Sequence, residues 1–315
     1  MPIVIYGLKA VGWQTEGNGV HMNDIKWNDR FNIGVEKIDS AHRRLFAIVS
    51  KLLDLAEDSE KQKHACQEGI KYLKSYTQRH FAEEEAYMRL IDYKDYAIHK
   101  SLHDNMQNVT VPALEQEMES QDYSEESIQH FLGICVGWLN GHIMIEDRAI
   151  TGKTPHKWVH KPADDELDSL EKAVIQTFHD LLRLDVDIVS KRYGGEDFAS
   201  GRALCFRISY RMPDKKAAQV FLVYEEQMIL KLVNDMVGKQ VKKLDKTILE
   251  AMRIISLKFM QCMETHFSLG DDYKYEKINV LSFEQLTHSF EKQYSPYSLL
   301  FCTEKNDYFA LCINK

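Results

Sequence analysis

The sequence predicts two domains of different class: an N-terminal all-α antiparallel four-helix bundle, then a C-terminal α+β domain. Three observations carry this. From Asp39 to Ile150 apolar residues recur at helical spacing in four long stretches with short connections between them. Beyond residue 200 come β-like runs, ALCFRISYRM and QVFLVYE, mixed with further helical stretches. Between the halves lies TGKTPHKWVHKPADDELD, where a glycine, two prolines and mixed charge break both patterns. A chain of 315 residues is long enough for two separate cores.

Element by element, residues 1–23 read as an N-terminal arm, mildly apolar but without the basic leader or cleavage site of a signal peptide. DSAHRRLFAIVSKLLDLAED is the first helix, with Asp39 as its start signal. The second covers roughly Lys61–Leu90. The third begins near Asp95 and runs past His103; Pro112 lies inside its pattern and is expected to kink or end it. The fourth starts at Ser124-Glu125-Glu126 and runs through FLGICVGWLNGHIMIEDRAI. The bundle domain is thus placed at residues 24–150, a linker at 151–166 and the α+β domain at 167–315. In the latter, a helix is expected over Leu167–Lys191, then the two β-like runs joined by PDKKAA. The helices EEQMILKLVNDMVG and LDKTILEAMRIISLKFMQCMETHF follow. The strands INVLSF and YSLLFCTEKNDYFALCINK close the chain, the latter turning at residues 304–307.

A net charge of −8 and a pI near 5.9 argue against a nucleic-acid surface or attraction to anionic membranes. No apolar run approaches the roughly 20 residues needed to cross a bilayer. Six cysteines without a CxxC pair suit reduced thiols in a cytoplasmic protein.

The bundle half concentrates metal-ligand chemistry. His80 and Glu84 stand four apart, as do His99 and His103, so each pair projects from one helix face. His42 sits on the first helix, and His142 with Asp147 on the fourth. Any one of these could be a surface or core residue, but one ligand element on every helix closes a bundle around a shared interior. His142 and Asp147 are five apart, about 140° in an ideal helix, so they converge only if the helix widens locally, as at a π-bulge, or if both reach inward from the edges of the buried face. His21, His64, His130, His179, His266 and His288 have no partner at ligand spacing, and His156 and His160 lie in the Pro-containing linker.

Many imidazoles, few carboxylates and no thiolate suit iron, zinc, copper or nickel. Seven ligands are too many for one ion, whereas two ions bridged by both carboxylates use them fully. With six-coordinate ions and one shared oxo or hydroxo group, that donor set leaves one position open, which suits reversible uptake of one small molecule such as dioxygen.

The segments IKWNDRFNIGVEKIDSAHRRLF, HFAEEEAYM, HKSLH and WLNGHIMIED resemble the bacterial hemerythrins. The resemblance implies a four-helix bundle with two iron ions that bind dioxygen reversibly. It implies that His42 and His80 hold one iron, that His99, His103 and His142 hold the other, and that Glu84 and Asp147 bridge. The open position falls on the two-histidine iron, with Leu45, Phe46, Phe81, Leu102, Trp138 and Ile145 as candidate pocket residues.

The order helix, hairpin, VYEEQMILKLVNDMVGKQV, then DKTILEAMRIISLKFMQ resembles the CheC/CheX family of chemotaxis phosphatases, over about residue 167 to the C-terminus. That family uses an ExxN motif to dephosphorylate CheY-type response regulators. Here Ile254 and Leu257 fall at those positions, and neither can form the ion pair or orient water. The resemblance therefore implies a domain without phosphatase activity that forms a homodimer or binds a signalling partner. The whole reads as an oxygen or redox sensor rather than an enzyme. The alternatives are a di-iron oxidase, peroxidase or NO-handling enzyme, or a simple oxygen store.

Overall fold

The structure is a computed structural model, and it describes residues 31–56, 62–152, 166–195, 198, 202–211, 217–238, 241–264, 273–292 and 297–314. The arm at residues 1–23, the linker histidines and the PDKK part of the expected turn lie outside the described residues. The chain divides into two compact units. One holds the helices up to Ile150, and residues 235–238 and 245–251 group with it; the other holds the remaining described residues.

In the first unit, α1 (Glu36–Ala56) and α2 (Gln62–Leu90) are followed by α3 (Tyr96–Asn105), which passes through a π-helical turn, Met106–Thr110, into α4 (Val111–Ser120). Next, α5 (Glu125–Gly141) passes through a second π-helical turn, His142–Asp147, into the short α6 (Arg148–Ile150). Neighbouring pairs α1–α2, α2–α3, α4–α5 and α1–α5 close the ring of a four-helix bundle. Its interior is filled by Ile38, Leu45, Phe46, Val49, Ile70, Met88, Phe131 and Leu132, each at most 3% exposed. Ser124 caps α5 by accepting from the Ser127 N–H.

Two expectations change here. Pro112 does not end the third helix. It stands in the first turn of α4, directly after a wide turn in which the Val111 N–H donates to the Met106 carbonyl, and the ladder resumes beyond it to Ser120. Asp39 does not start α1, which begins three residues earlier. Its buried carboxylate instead accepts from the backbone N–H groups of Ile33 (2.6 Å) and Gly34 (3.0 Å), fixing the chain that enters the bundle. Gly34 makes that turn at φ 93°, a value that favours glycine.

The second unit opens with α7 (Glu166–Thr177) and a π-helical turn, Phe178–Leu182. The helix expected to run to Lys191 stops there, since Arg183 takes the left-handed conformation, φ 51°. The segment VDIVS then forms β1 (Val186–Ser190). The remaining elements are β2 (Ala203–Arg211), β3 (Ala217–Glu225), α8 (Glu226–Val237), α9 (Lys246–Glu264), β4 (Lys274–Leu281), α10 (Phe283–Lys292), β5 (Tyr297–Thr303) and β6 (Tyr308–Asn314). The strands form one antiparallel sheet in the order β1-β5-β6-β3-β2-β4. On one face, Tyr224 and Phe309 pack with Phe178 and Phe259, and the Tyr224 hydroxyl meets Ser256 Oγ at 3.1 Å. On the other, α10 lays Leu286 and Phe290 against Tyr193, Cys205, Phe221, Leu281 and Cys312. Helix α10 is not among the elements expected from sequence, although Ser282 and Gln285 announce it: the Ser282 N–H donates to Gln285 Oε1 (3.0 Å) and the Gln285 N–H to Ser282 Oγ (3.2 Å), a reciprocal cap.

Asp39→Ala leaves two backbone donors at the bundle entrance without their acceptor. The expected loss is about 2 kcal/mol, read as a lower denaturant midpoint with unchanged slope.

Candidate metal centre

Seven polar side chains meet in the interior of the bundle. His42 comes from α1, His80 and Glu84 from α2, His99 and His103 from α3, and His142 and Asp147 from the two ends of the second π-helical turn. All seven are at most 5% exposed. The wide turn settles the awkward five-residue spacing. The Arg148 N–H donates to the Ile143 carbonyl, an i→i+5 bond, and His142 Nε2 stands 3.0 Å from Asp147 Oδ1.

The donors form two groups that share one carboxylate: Glu84 with His99, His103 and His142, and Glu84 with His42 and His80, the ligand atoms in each lying within 4.8 Å of one another. Asp147 also spans both groups. Its Oδ2 lies 3.2 Å from His42 Nε2, while its Oδ1 lies 3.3 Å from His99 Nε2. Glu84 Oε2 is 3.3 Å from His103 Nε2 and 3.8 Å from His80 Nε2. Every imidazole therefore turns its Nε2 toward a carboxylate.

These approaches are not hydrogen bonds. Both oxygens of Glu84 and of Asp147, and both ring nitrogens of His42 and His99, are buried with no hydrogen-bond partner. Desolvating two carboxylates in this way costs several kcal/mol each unless a cation lies among them. The donor set fits a pair of first-row transition metals, which take imidazole and carboxylate readily. The electrostatics agree. Burial, and then the neighbouring Asp147, push the Glu84 carboxyl well above its usual range. Burial also acts to raise Asp147, but His142, His42 and His99 outweigh it and hold that group well below the carboxylate range. Burial lowers His80 to about 3 and also lowers His103 and His142, so these imidazoles are neutral near pH 7, the form that ligates.

The surrounding shell is aromatic. Phe81 stacks on His103 with ring centroids 3.9 Å apart, and Trp138 stacks on His142 at 4.2 Å. Of the six expected pocket residues, Leu45, Phe46 and Phe81 are fully buried and Leu102, Trp138 and Ile145 are half-buried. One functional residue is not evident from the sequence. Glu85 Oε1 lies 3.3 Å from His103 Nδ1, so that nitrogen donates to it and Nε2 keeps its lone pair. The only sequence signal is three glutamates in a row, which reads equally well as a solvated face. His130 and His179 face Glu117 at 3.0 Å and Asp185 at 2.9 Å.

A four-helix bundle whose interior presents five imidazoles and two shared carboxylates defines a protein built for a two-metal centre. Comparison with known proteins agrees. Residues 33–153 match the family described as Hemerythrin HHE cation binding domain. A bacteriohemerythrin of Clostridium acetobutylicum is 34% identical over 126 residues, which span 39% of this chain and 95% of that protein. A myohemerythrin of Theromyzon tessulatum is 28% identical over 132 residues, 41% of this chain and 92% of that protein. The chain belongs to the hemerythrin family, and the cations its bundle serves are the two irons of that family's oxygen-binding centre. Part of the chain also aligns with the crystal structure of the chemotaxis protein CheX from Vibrio vulnificus, at 10% identity and a TM-score of 0.35, covering 47% of this chain and 99% of that one.

Glu85→Gln weakens the hold on His103, and metal affinity is expected to fall about 10- to 100-fold in a competition titration with a chelator, with little change in secondary structure. A second expectation concerns acid. His80 titrates lower in the folded bundle than in the unfolded chain, so the unfolded chain binds its proton first. The metal-free bundle therefore loses stability as pH falls from about 6.5 toward about 3, at up to about 1.4 kcal/mol per pH unit for this one group. His80→Leu flattens that part of the denaturation-versus-pH curve.

Proposed function

We propose that this protein is a di-iron dioxygen sensor that reports through its second unit. In this reading His42 and His80 hold one iron, His99, His103 and His142 hold the other, and Glu84 and Asp147 bridge the pair. The observation that carries it is the unequal division of five imidazoles between two groups that share both carboxylates. Such a set saturates one ion and leaves a position on the other. When bound, the iron pair supplies reversible binding of dioxygen. The chain's own residues orient and insulate it: Glu85 fixes His103, and the faces of Phe81 and Trp138 cover His103 and His142 and keep water from them.

The sensor is read as residues 24–150, the linker as 151–166 and the output domain as 167–315, all in the cytoplasm. The output domain works by binding, as a homodimer or with a CheY-type response regulator, and not by phosphatase chemistry. Two side chains support this. Ile254 is half-buried and Leu257 is 7% exposed on α9, and both are apolar where the ExxN motif would need an acid and an amide.

The test is the visible absorption spectrum of the iron-loaded full chain, taken anaerobically, after oxygen, and after oxygen removal. A charge-transfer band that appears with oxygen and vanishes on its removal is expected. A direct passage to a stable oxidised form would instead favour redox sensing or oxidase chemistry, and a metal-loaded protein with no iron band would overturn the reading. Asp147→Ala is expected to lower bound iron from two per chain toward one, counted by metal analysis, with the bundle still helical by circular dichroism.

A further inference from the structure

The second unit holds a polar cavity of about 400 Å³ between α10 and the sheet face it covers. Strands supply Arg207, Gln219 and Asn314; α10 supplies Gln285, His288 and Ser289; and Leu281 forms an apolar wall. The strand residues gather there by register. Arg207 lies two residues along β2 from Cys205 and Gln219 two along β3 from Phe221, so both share the face of that core cluster. Asn314 stands opposite Gln219, and Asn279 stands opposite Arg207.

The polar groups here are underused. Among the described residues no carboxylate lines the cavity and none pairs with the Arg207 guanidinium. Arg207 Nε is buried without a hydrogen-bond partner, and so are Asn279 Oδ1 and Asn314 Oδ1. A protein rarely leaves an arginine Nε and two amide oxygens unpaired on one sheet face, since buried polar groups are normally paired. The bundle and its metal centre make no use of these residues.

We infer that this cavity binds a small polar metabolite carrying an oxyanion, a carboxylate or a phosphate. Arg207 is the anchor, because its planar fork presents parallel N–H donors that match either oxyanion in a two-pronged contact. The amide oxygen of Asn314 takes a hydroxyl or amine donor from the body of the same molecule. Among the described residues lining the cavity, Arg207 stands without an opposing carboxylate, which sets the preference for an anion. The volume lies at the small-molecule end of ordinary ligand sites, and the hydroxyl and amide lining selects a polar body over a lipid. The second unit would then read a chemical signal of its own, separate from the state of the metal pair.

The experiment is a titration of the full-length, iron-loaded chain with inorganic phosphate and, separately, with acetate, against sodium chloride at matched ionic strength. Backbone amide NMR shifts and thermal unfolding of the second unit are followed. The expected result is a saturable change at β2, β6 and α10 with at least one of the two anions. That change should weaken at least tenfold in Arg207→Met, while the iron content and visible spectrum stay as in the parent protein. Saturation by phosphate alone or by acetate alone assigns the oxyanion. Asn314→Leu, which keeps the cation, is expected to leave simple anion binding in place. A response that follows ionic strength alone, or one unchanged in Arg207→Met, would overturn the inference.

Discussion

Two carboxylates without solvent and without a donor of their own set the terms for the bundle. Glu84 and Asp147 are fully buried beside each other, and no backbone N–H, lysine or arginine reaches them. Burial and Asp147 favour the protonated form of Glu84, so both groups ionise together only if positive charge enters with them. Three of the five imidazoles around the pair do not provide that charge, since burial holds His80, His103 and His142 in the neutral form. A cation would supply it, and the helices are arranged to bring lone pairs to one point from four directions. Core packing and site building are the same act here. Phe81 and Trp138 are core residues by burial and ligand supports by the rings they cover.

The second unit shows the opposite economy. Its sheet is satisfied on the face toward α7 and α9, where Phe178, Tyr224, Phe259 and Phe309 interlock. Its other face is divided. One part is apolar under Leu286 and Phe290, and the other is polar around Arg207 and Asn314. A sheet built only for stability would carry the apolar part across. A six-stranded antiparallel sheet with one helix laid over half of a face is well suited to hold something in the other half.

Much of this architecture is legible in the residues themselves. The helices of the bundle, the paired strands β2 and β3 and the terminal hairpin follow from apolar period. The seven polar side chains that meet inside the bundle follow from chemistry repeated once per helix. The rest depends on contacts that periodicity does not encode. The helical pattern of α7 runs on too far because VDIVS has no breaker ahead of it; Arg183 ends the helix by adopting a left-handed conformation that its residue type does not announce. Helix α10 is hidden because FEQLTHSFEK is short and follows a strand without a glycine or proline. Glu85 is hidden among its neighbours, since which of three adjacent glutamates faces a histidine is decided by the packing of α2 against α3.

The wide turn in the fourth helix has a consequence for how the site could change over time. Glu146 and Asp147 are adjacent acids. In a helix of ordinary pitch the residue that follows His142 by one full turn is at i+4, and that residue is Glu146. The single extra residue in the turn is what hands the position to the shorter Asp147 instead. Helical phase is therefore a selector between two carboxylates of different reach. A one-residue deletion between His142 and Glu146 would leave Asp147 at the centre on a helix of ordinary pitch, whereas a return of the undeleted turn to ordinary pitch would present Glu146, an acid one methylene longer.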